Sequence, residues 1–453
     1  MFAAVVRHAR PPSPLAGRLA AQSLLFALGQ GTFMTGSAVF FTQIVGLSAA
    51  QVGLGLTCAG VAAFLAALPM GKLVDRFGPK RMWAVSAIGE AAMFSLWPFI
   101  TDFKGYLVMA VGMEVIGSLG GAAHGAYTIG VLPPDQRVKS RAYMYSALNV
   151  GFTLGSLTGG LALAFHSNDV LHAVPWFTAA VFLVNAAAIS RLPRAPHDER
   201  TPEDRRLNVA GPGPLRNPGW LLTTFFGGVF WTNQVLLNIV IPLWLVEETD
   251  APRVLLAFLF GTNTVMCIFL PMVASRGVED VPTALRAVRV SSSFFVISCL
   301  ITLATHDTVG WVTIALVWLG HVTVTGAELY LSAASWSFEA ELMDPRQRGA
   351  YQGAAELSST LGKVWAPAVY TFLAMNWGAG GWLVIAGIIV LATVGIHPST
   401  RLARRFLEQH VPAEVLADAR ASGSESDERM AVGPASITDT GAPVPAPTSD
   451  PIR

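Results

Sequence analysis

The chain has 453 residues, of which 53% are hydrophobic and 13% charged, whereas a soluble globular protein carries about 25% charged residues. This composition excludes an ordinary water-soluble domain and points to lipid as the solvent. A net charge of +1 argues against nucleic acid as a partner. Cys58, Cys267 and Cys299 all fall in apolar runs, so they form no disulfide framework, no metal-ligand spacing and no cofactor site.

A helix crossing a bilayer needs about 20 mostly apolar residues. In chain order such runs occur at 19–45, 51–70, 82–100, 105–132, 143–166, 174–192, 219–245, 253–274, 285–305, 309–337, 350–374 and 378–397. The first is too long for a secretory leader and lacks a small-residue cleavage site, so it is expected to stay as a span. None shows the short alternating pattern of barrel strands. The fold class expected is an all-α membrane protein with twelve transmembrane helices.

Basic residues set the orientation. With the N-terminus in the cytoplasm, the inner loops hold Arg7, Arg10 and Arg18, the cluster from Lys72 to Arg81, Arg137, Lys139 and Arg141. They also hold the arginines between Arg191 and Arg216, and Arg276, Arg286, Arg289, Arg346 and Arg348. The outer loops hold only Lys104 and Arg253. Both termini are therefore expected in the cytoplasm of a cell that carries the protein in its cell (inner) membrane.

The polar segment PRAPHDERTPEDRRLNVAGPGPLRNPG after the sixth run reads as a linker. It divides the chain into an N-terminal six-helix half (1–192), a cytoplasmic linker (193–218), a C-terminal half (219–399) and a disordered cytoplasmic tail (400–453). The halves show weak internal similarity. RAYMYSALNVGFTLGSLTGG (141–160) lies over RGAYQGAAELSSTLGKVWAP (348–367), with Arg141/Arg348, Ala147/Ala354, Thr153/Thr360, Leu154/Leu361 and Gly155/Gly362 identical. Duplicated halves with a site between them form a transporter design.

Between the second and third runs stands Gly71-Lys-Leu-Val-Asp75-Arg76-Phe-Gly78-Pro-Lys80-Arg81. It resembles the loop 2–3 signature of the major facilitator superfamily, G-x-L-x-D-R-x-G-x-[KR]-[KR], and the resemblance extends over roughly residues 15–400. The copy expected between spans 8 and 9, SRGVEDVPTALRAVR, is degraded. The resemblance implies the major facilitator fold. In that family the equivalent acid pairs with a basic residue and with the positive end of span 11, locking one conformation. Here that implies Asp75 against the helix starting near Arg348–Gly349, with Arg141 as the basic partner. Gly71 and Gly78 would allow close approach and a tight turn. Arg76, Lys80 and Arg81 would mark the inner face.

Span 5 carries Gly151, Gly155, Gly159 and Gly160. This spacing resembles the span 5 motif of the family's proton-coupled exporters, with Ser156 in place of the proline and Ala142 in place of an earlier glycine. Small residues at this spacing also serve plain helix packing. The arginine that such exporters carry in span 4 is absent, and Glu114 stands in its neighbourhood.

Ionisable groups inside a membrane are costly and mark function. By helical rise Glu114 lies about 13 Å into span 4, His321 about 18 Å into span 10 and Lys363 about 20 Å into span 11. All three lie near the midplane, with Lys363 the expected counter-charge of Glu114. Glu356 and Glu328 are further candidates. Glu90 and His124 read as packing residues. Asn233, Gln234 and Asn238 form a polar stripe on span 7 beside Trp231, and Gln30, Thr32 and Thr35 form one on span 1. These stripes suit either substrate or helix–helix contact.

No P-loop, HExxH, GxSxG or Cys/His cluster is present, so an enzyme is not expected. The reading is a secondary active transporter, expected as a monomer, with protons, a small-molecule substrate and the lipid bilayer as partners. It would export a small, partly apolar molecule by alternating access. The alternatives are an importer of a nutrient such as a sugar or organic acid, and a non-transporting membrane receptor. No Arg lies within spans 1, 4, 7 or 10, which argues against strongly anionic substrates.

Overall fold

The computed structural model describes residues 10–165, 167–195 and 211–421, with all their side chains except those of 358–363 and 420–421. Among the described residues the regular structure is helical and no strand occurs. α1 spans Pro14–Val39 and runs into a π-turn, Phe40–Ile44. α2 (Ala49–Phe77), α3 (Pro79–Leu96), α4 (Phe103–Val131), α5 (Arg137–Ala164) and α6 (Asn168–Ser190) follow.

α7 is built of pieces: Pro218–Phe230, Asn233–Val235, a π-turn Leu236–Val240, and Ile241–Glu247. Pro242 has no N–H and its ring clashes with the carbonyl four residues back, which accounts for the π-turn just before it. α8 (Leu255–Phe269) stops at Leu270, and Pro271–Ala274 resumes it. α9 is Val281–Ala304 and α10 is Trp311–Glu341. The long helix Arg348–His410 has non-helical backbone at Gly378 (φ 49°), which divides it into α11 and α12. A short α13, Ala413–Ala421, ends the described chain.

Each expected span coincides with one of these rods, and most rods start a few residues earlier than the apolar runs. The extra residues are polar first turns, closed by side chains that an apolar count passes over. Ser48 and Gln51 form a reciprocal cap on α2. Asp102 and Asn217 accept from the first turns of α4 and α7, and Asp280 with Thr283 caps α9. Nine of the described helices are long and apolar enough to cross a membrane, counting Val364–His410 as one. α3 carries Lys80, Arg81 and Glu90 within 18 residues, and α8 is broken by Pro271.

Two hydrophobic clusters draw only on residues between Leu15 and Ala195, and a third draws on Trp220 to Ala403 plus Ile129 and Val138. Large apolar side chains such as Leu65, Val108, Phe258 and Leu391 stand exposed on the outside, as lipid-facing residues do.

Glycines make two seams. A Cβ at Gly151, Gly155 or Gly159 of α5 would collide with the backbone carbonyls of Leu24, Leu28 or Thr32 on α1. A Cβ at Gly71 of α2 or Gly349 of α11 would collide with the other's carbonyl, and one at Gly353 with that of Ala67. Gly160, grouped with the α5 motif from its sequence, faces open space and takes no part in the seam. Another expectation is also corrected: the tail does not begin at residue 400. Pro398 lies inside the helix without ending it; Thr400, Ala403 and Leu407 are buried, and the helix runs to His410. The Arg137 guanidinium donates to the Ala419 carbonyl in α13 at 3.0 Å. Most of the expected linker, and the tail beyond residue 421, lie outside the described residues.

Candidate functional site

α2 and α3 meet at Gly78, whose φ of 96° is open to glycine; this end of the bundle is termed the latch end, after the role expected of Asp75. Asp75, one turn before Gly78, is buried. Its Oδ1 accepts the Gly349 N–H at 2.7 Å and its Oδ2 the Ala350 N–H at 2.8 Å. These are among the first free N–H groups of α11, where the helix dipole favours an anion. The absence of side chains at Gly71 and Gly349 lets the two backbones come this close. Lys80 donates to the carbonyls of Ser190 (2.9 Å) and Leu192, closing the C-terminal end of α6. Arg76 and Arg81 are exposed, with Arg76 over the Phe77 ring at 5.3 Å.

Arg141 is not placed as expected. It pairs with Glu339 of α10 at 2.6 Å, and Gln352 of α11 donates to the same oxygen at 3.0 Å. An acid on the facing helix therefore takes this guanidinium, and Arg348 is the basic group that acts on Asp75.

Beyond the latch lie two adjoining lobes of one cavity. The lobe between the halves, about 790 Å³, is lined by Trp231, Gln234, Phe338, Glu339 and Glu356 among others. The other lobe, about 820 Å³, lies mostly against α1–α6 and is lined by Gln30, Glu90, Glu114, His124 and Asn185 among others, with Gln352, Gly353 and Glu356 of α11 on one side. Met34, Phe152, Gln352 and Glu356 line both. Among the described side chains no Lys or Arg lines either lobe. The side chain of Lys363, and with it the expected pair with Glu114, lies outside the described residues.

His321 does not line the cavity. It is fully buried, its ring edge-on to Phe260 of α8 at 6.4 Å. Neither ring nitrogen makes a hydrogen bond, and the Leu259 backbone beside it lies outside good geometry. The reason is rotational: the cavity face of α10 carries Leu331, Ser335 and Phe338, and ten residues turn a helix about 80° away. Glu328, seven residues on from His321, shares the face toward α8. Tyr145 of α5 donates to its Oε1 at 2.6 Å, and Asn263 of α8 to its Oε2 at 3.3 Å. Gln234 stands close enough to donate as well. Glu328 thus ties both halves together with neutral donors.

Of the α7 stripe, Gln234 reaches the cavity and Asn238 donates to the Gln234 carbonyl at 2.8 Å from the π-turn. Asn233 is buried with no hydrogen bond to its amide, which nothing in the structure explains. Thr32 and Thr35 bond back to their own helix.

Sequence reasoning passed over Glu339 and Gln352, and it assigned Glu90 to packing. The signal for Glu90 was there, a lone acid in the middle of an apolar run.

The Major Facilitator Superfamily model matches residues 19–367. A Na(+), Li(+), K(+)/H(+) antiporter of Planococcus maritimus is 24% identical over 379 residues, covering 77% of this chain and 86% of that protein. A class C tetracycline resistance protein of Escherichia coli is 23% identical over 358 residues, covering 76% and 86%. The crystal structure of a bacterial homologue of the iron transporter ferroportin in an outward-facing state superposes with a TM-score of 0.70. It is 12% identical and covers 85% of this chain and 99% of its own, a likeness of fold alone. The chain belongs to the Major Facilitator Superfamily and is a multi-pass membrane transporter.

Proposed function

We propose that this transporter exports a small, partly apolar molecule in exchange for protons, by alternating access between two six-helix halves joined by the polar linker. The latch end faces the cytoplasm, in accord with the basic residues gathered there, and so do both termini in the cell membrane. The protein works as a monomer. The observation that carries the reading is the cavity itself. Aromatic and aliphatic side chains (Trp231, Phe338, Phe152, Met34) share it with the carboxyls of Glu114 and Glu356. Such a cavity suits an apolar body and a transferable proton, and it disfavours an anion. Asp75 on α11 holds the halves together at the latch end in this conformation. Relatives described as a cation/H(+) antiporter and as a tetracycline resistance protein support exchange and export.

The test is accumulation of tetracycline, and separately of Na⁺, in cells with and without the protein. Cells with it should hold less of the transported probe, and a proton uncoupler should erase the difference. A difference that survives the uncoupler would refute proton exchange, and higher accumulation with the protein would reverse the direction.

A further inference from the structure

Glu90 sits on α3 with its carboxyl on the lobe lined by α1–α6 and by Gln352, Gly353 and Glu356 of α11, 5% exposed. A buried carboxyl in a membrane helix is costly unless it has a use. Its surroundings supply no described positive charge, and Glu114 is the charged group that acts on it. The two carboxyls are near neighbours. A Cβ at Gly117 of α4 would lie 4.0 Å from Glu90 Oε1, and Gly117 is one turn, about 4.5 Å along the axis, from Glu114. Along the bundle Glu90 lies about 16 Å from the latch end of α3 and Glu114 about 25 Å from that of α4, so Glu90 is the inner of the two.

The space between and below them is polar and roomy. Gln22 Oε1, Asn185 Oδ1 and His124 Nε2 are buried atoms without a hydrogen-bond partner, all on the lining of this lobe of about 820 Å³. Gln22 and Asn185 are 3% and 1% exposed. Buried acceptors left open around such a space are what ordered water satisfies. Trp83, packed on His124 at 4.8 Å and Tyr127 at 5.4 Å, lines the lobe on the side toward the latch end.

We propose that Glu90 is a second proton-binding residue of the transport cycle, exchanging a proton with Glu114 through water held in the N-terminal lobe. The proposal rests on the proton-exchange reading above. The step is a plain proton transfer: the Glu114 carboxyl gives its proton to water, and water gives one to the Glu90 carboxylate. The negative charge thereby moves from Glu90 to Glu114, while the proton stays within the protein. The titratable groups facing the pair are His124 from α4, Tyr145 from α5 and Glu356 from α11. On the lobe α1 and α6 contribute only amides and a hydroxyl as polar groups, and α2 contributes alanines.

Two measurements on the full-length protein test this. In the first, the carboxylic-acid carbonyl band of the purified protein is followed by infrared spectroscopy across pH for the wild type, Glu90→Gln, Glu114→Gln and the double variant. Coupled carboxyls titrate as a pair, so each single variant should remove one component and displace the midpoint of the other. Superimposable titrations of wild type and Glu90→Gln overturn the proposal. In the second, the protein in proteoliposomes is driven by an imposed pH gradient, with tetracycline, Na⁺ and K⁺ as probes. Glu90→Gln should lose about tenfold or more of the gradient-driven rate, on the scale of a lost proton-transfer group, and keep downhill counterflow of the same probe. A Glu90→Gln protein that follows the gradient like the wild type overturns the Glu90 assignment alone. A wild type that ignores the gradient overturns the proton-exchange reading beneath it. Where Glu90→Gln fails to fold, Glu90→Asp takes its place: it keeps a carboxyl and must keep gradient-driven transport, and its loss in a folded protein refutes the proton role.

Discussion

Replacing Asp75 with Asn should open the latch end without unfolding the protein. The carboxylate accepts two backbone N–H groups, at 2.7 and 2.8 Å. The amide has one oxygen, so it keeps one of these bonds and turns an NH₂ toward the other donor. The loss is one charge-assisted hydrogen bond, about 1.5–3 kcal/mol, together with the attraction of the charge to the end of α11, about 0.3–2 kcal/mol. A net loss of about 3 kcal/mol shifts the equilibrium between closed and open latch by about a hundredfold. Spin labels on cysteines at Lys72 and Arg404, both exposed, report the separation of the halves there in lipid nanodiscs, with Cys58, Cys267 and Cys299 replaced. The wild type should give mainly the short distance. Asp75→Asn should add a longer one and slow transport at near-normal abundance. Identical distance distributions would refute the latch energetics.

Gly155→Val should destabilise the α1–α5 seam by about 1–3 kcal/mol, read as a lower melting temperature and yield in detergent, whereas Gly160→Ala, facing open space, should be neutral. The losses of Arg141→Met and Glu339→Gln should sum to more than the loss of the double variant, by a coupling of about 1–3 kcal/mol in thermal unfolding; additive losses would mean the 2.6 Å pair carries no weight. Hydrogen bonds from the Thr283 hydroxyl and N–H hold the Asp280 carboxyl below the usual carboxylate range. Its contribution is therefore present above the unfolded-state value and lost as pH falls through the folded one. Asp280→Ala should cost about 1 kcal/mol near neutrality, and the gap to wild type should close in acid. A cysteine at Val309 should react with an impermeant reagent from outside the cell and one at Arg76 only from inside; the reverse would invert the topology.

The sequence carried the span count because burying backbone in lipid leaves few choices, and twenty-residue apolar runs are read one by one. It pointed to the contact of Asp75 with the start of α11 because Asp75, Gly71 and Gly78 lie within one loop, where local spacing suffices. It failed where the answer depended on helix rotation or on a facing helix. Glu114 and His321 lie at comparable depth, yet only Glu114 faces the cavity, since depth is set by position in the run and facing by packing. Arg141 could not be matched to Glu339 because nothing local links residues so far apart in the chain. Glu90 was legible as a buried acid, but its place beside Glu114 depends on how α3 packs against α4, where Gly117 of α4 stands next to it, and no local spacing reveals that.

Uphill movement in a purified system tests the central claim most directly. Proteoliposomes holding only this protein are given a pH gradient and loaded with tetracycline or Na⁺. The account predicts that a probe moves against its own gradient, that a protonophore stops it, and that Glu114→Gln abolishes the uphill component while downhill exchange of the same probe continues. Uphill transport that persists with the protonophore, or in Glu114→Gln, would contradict it.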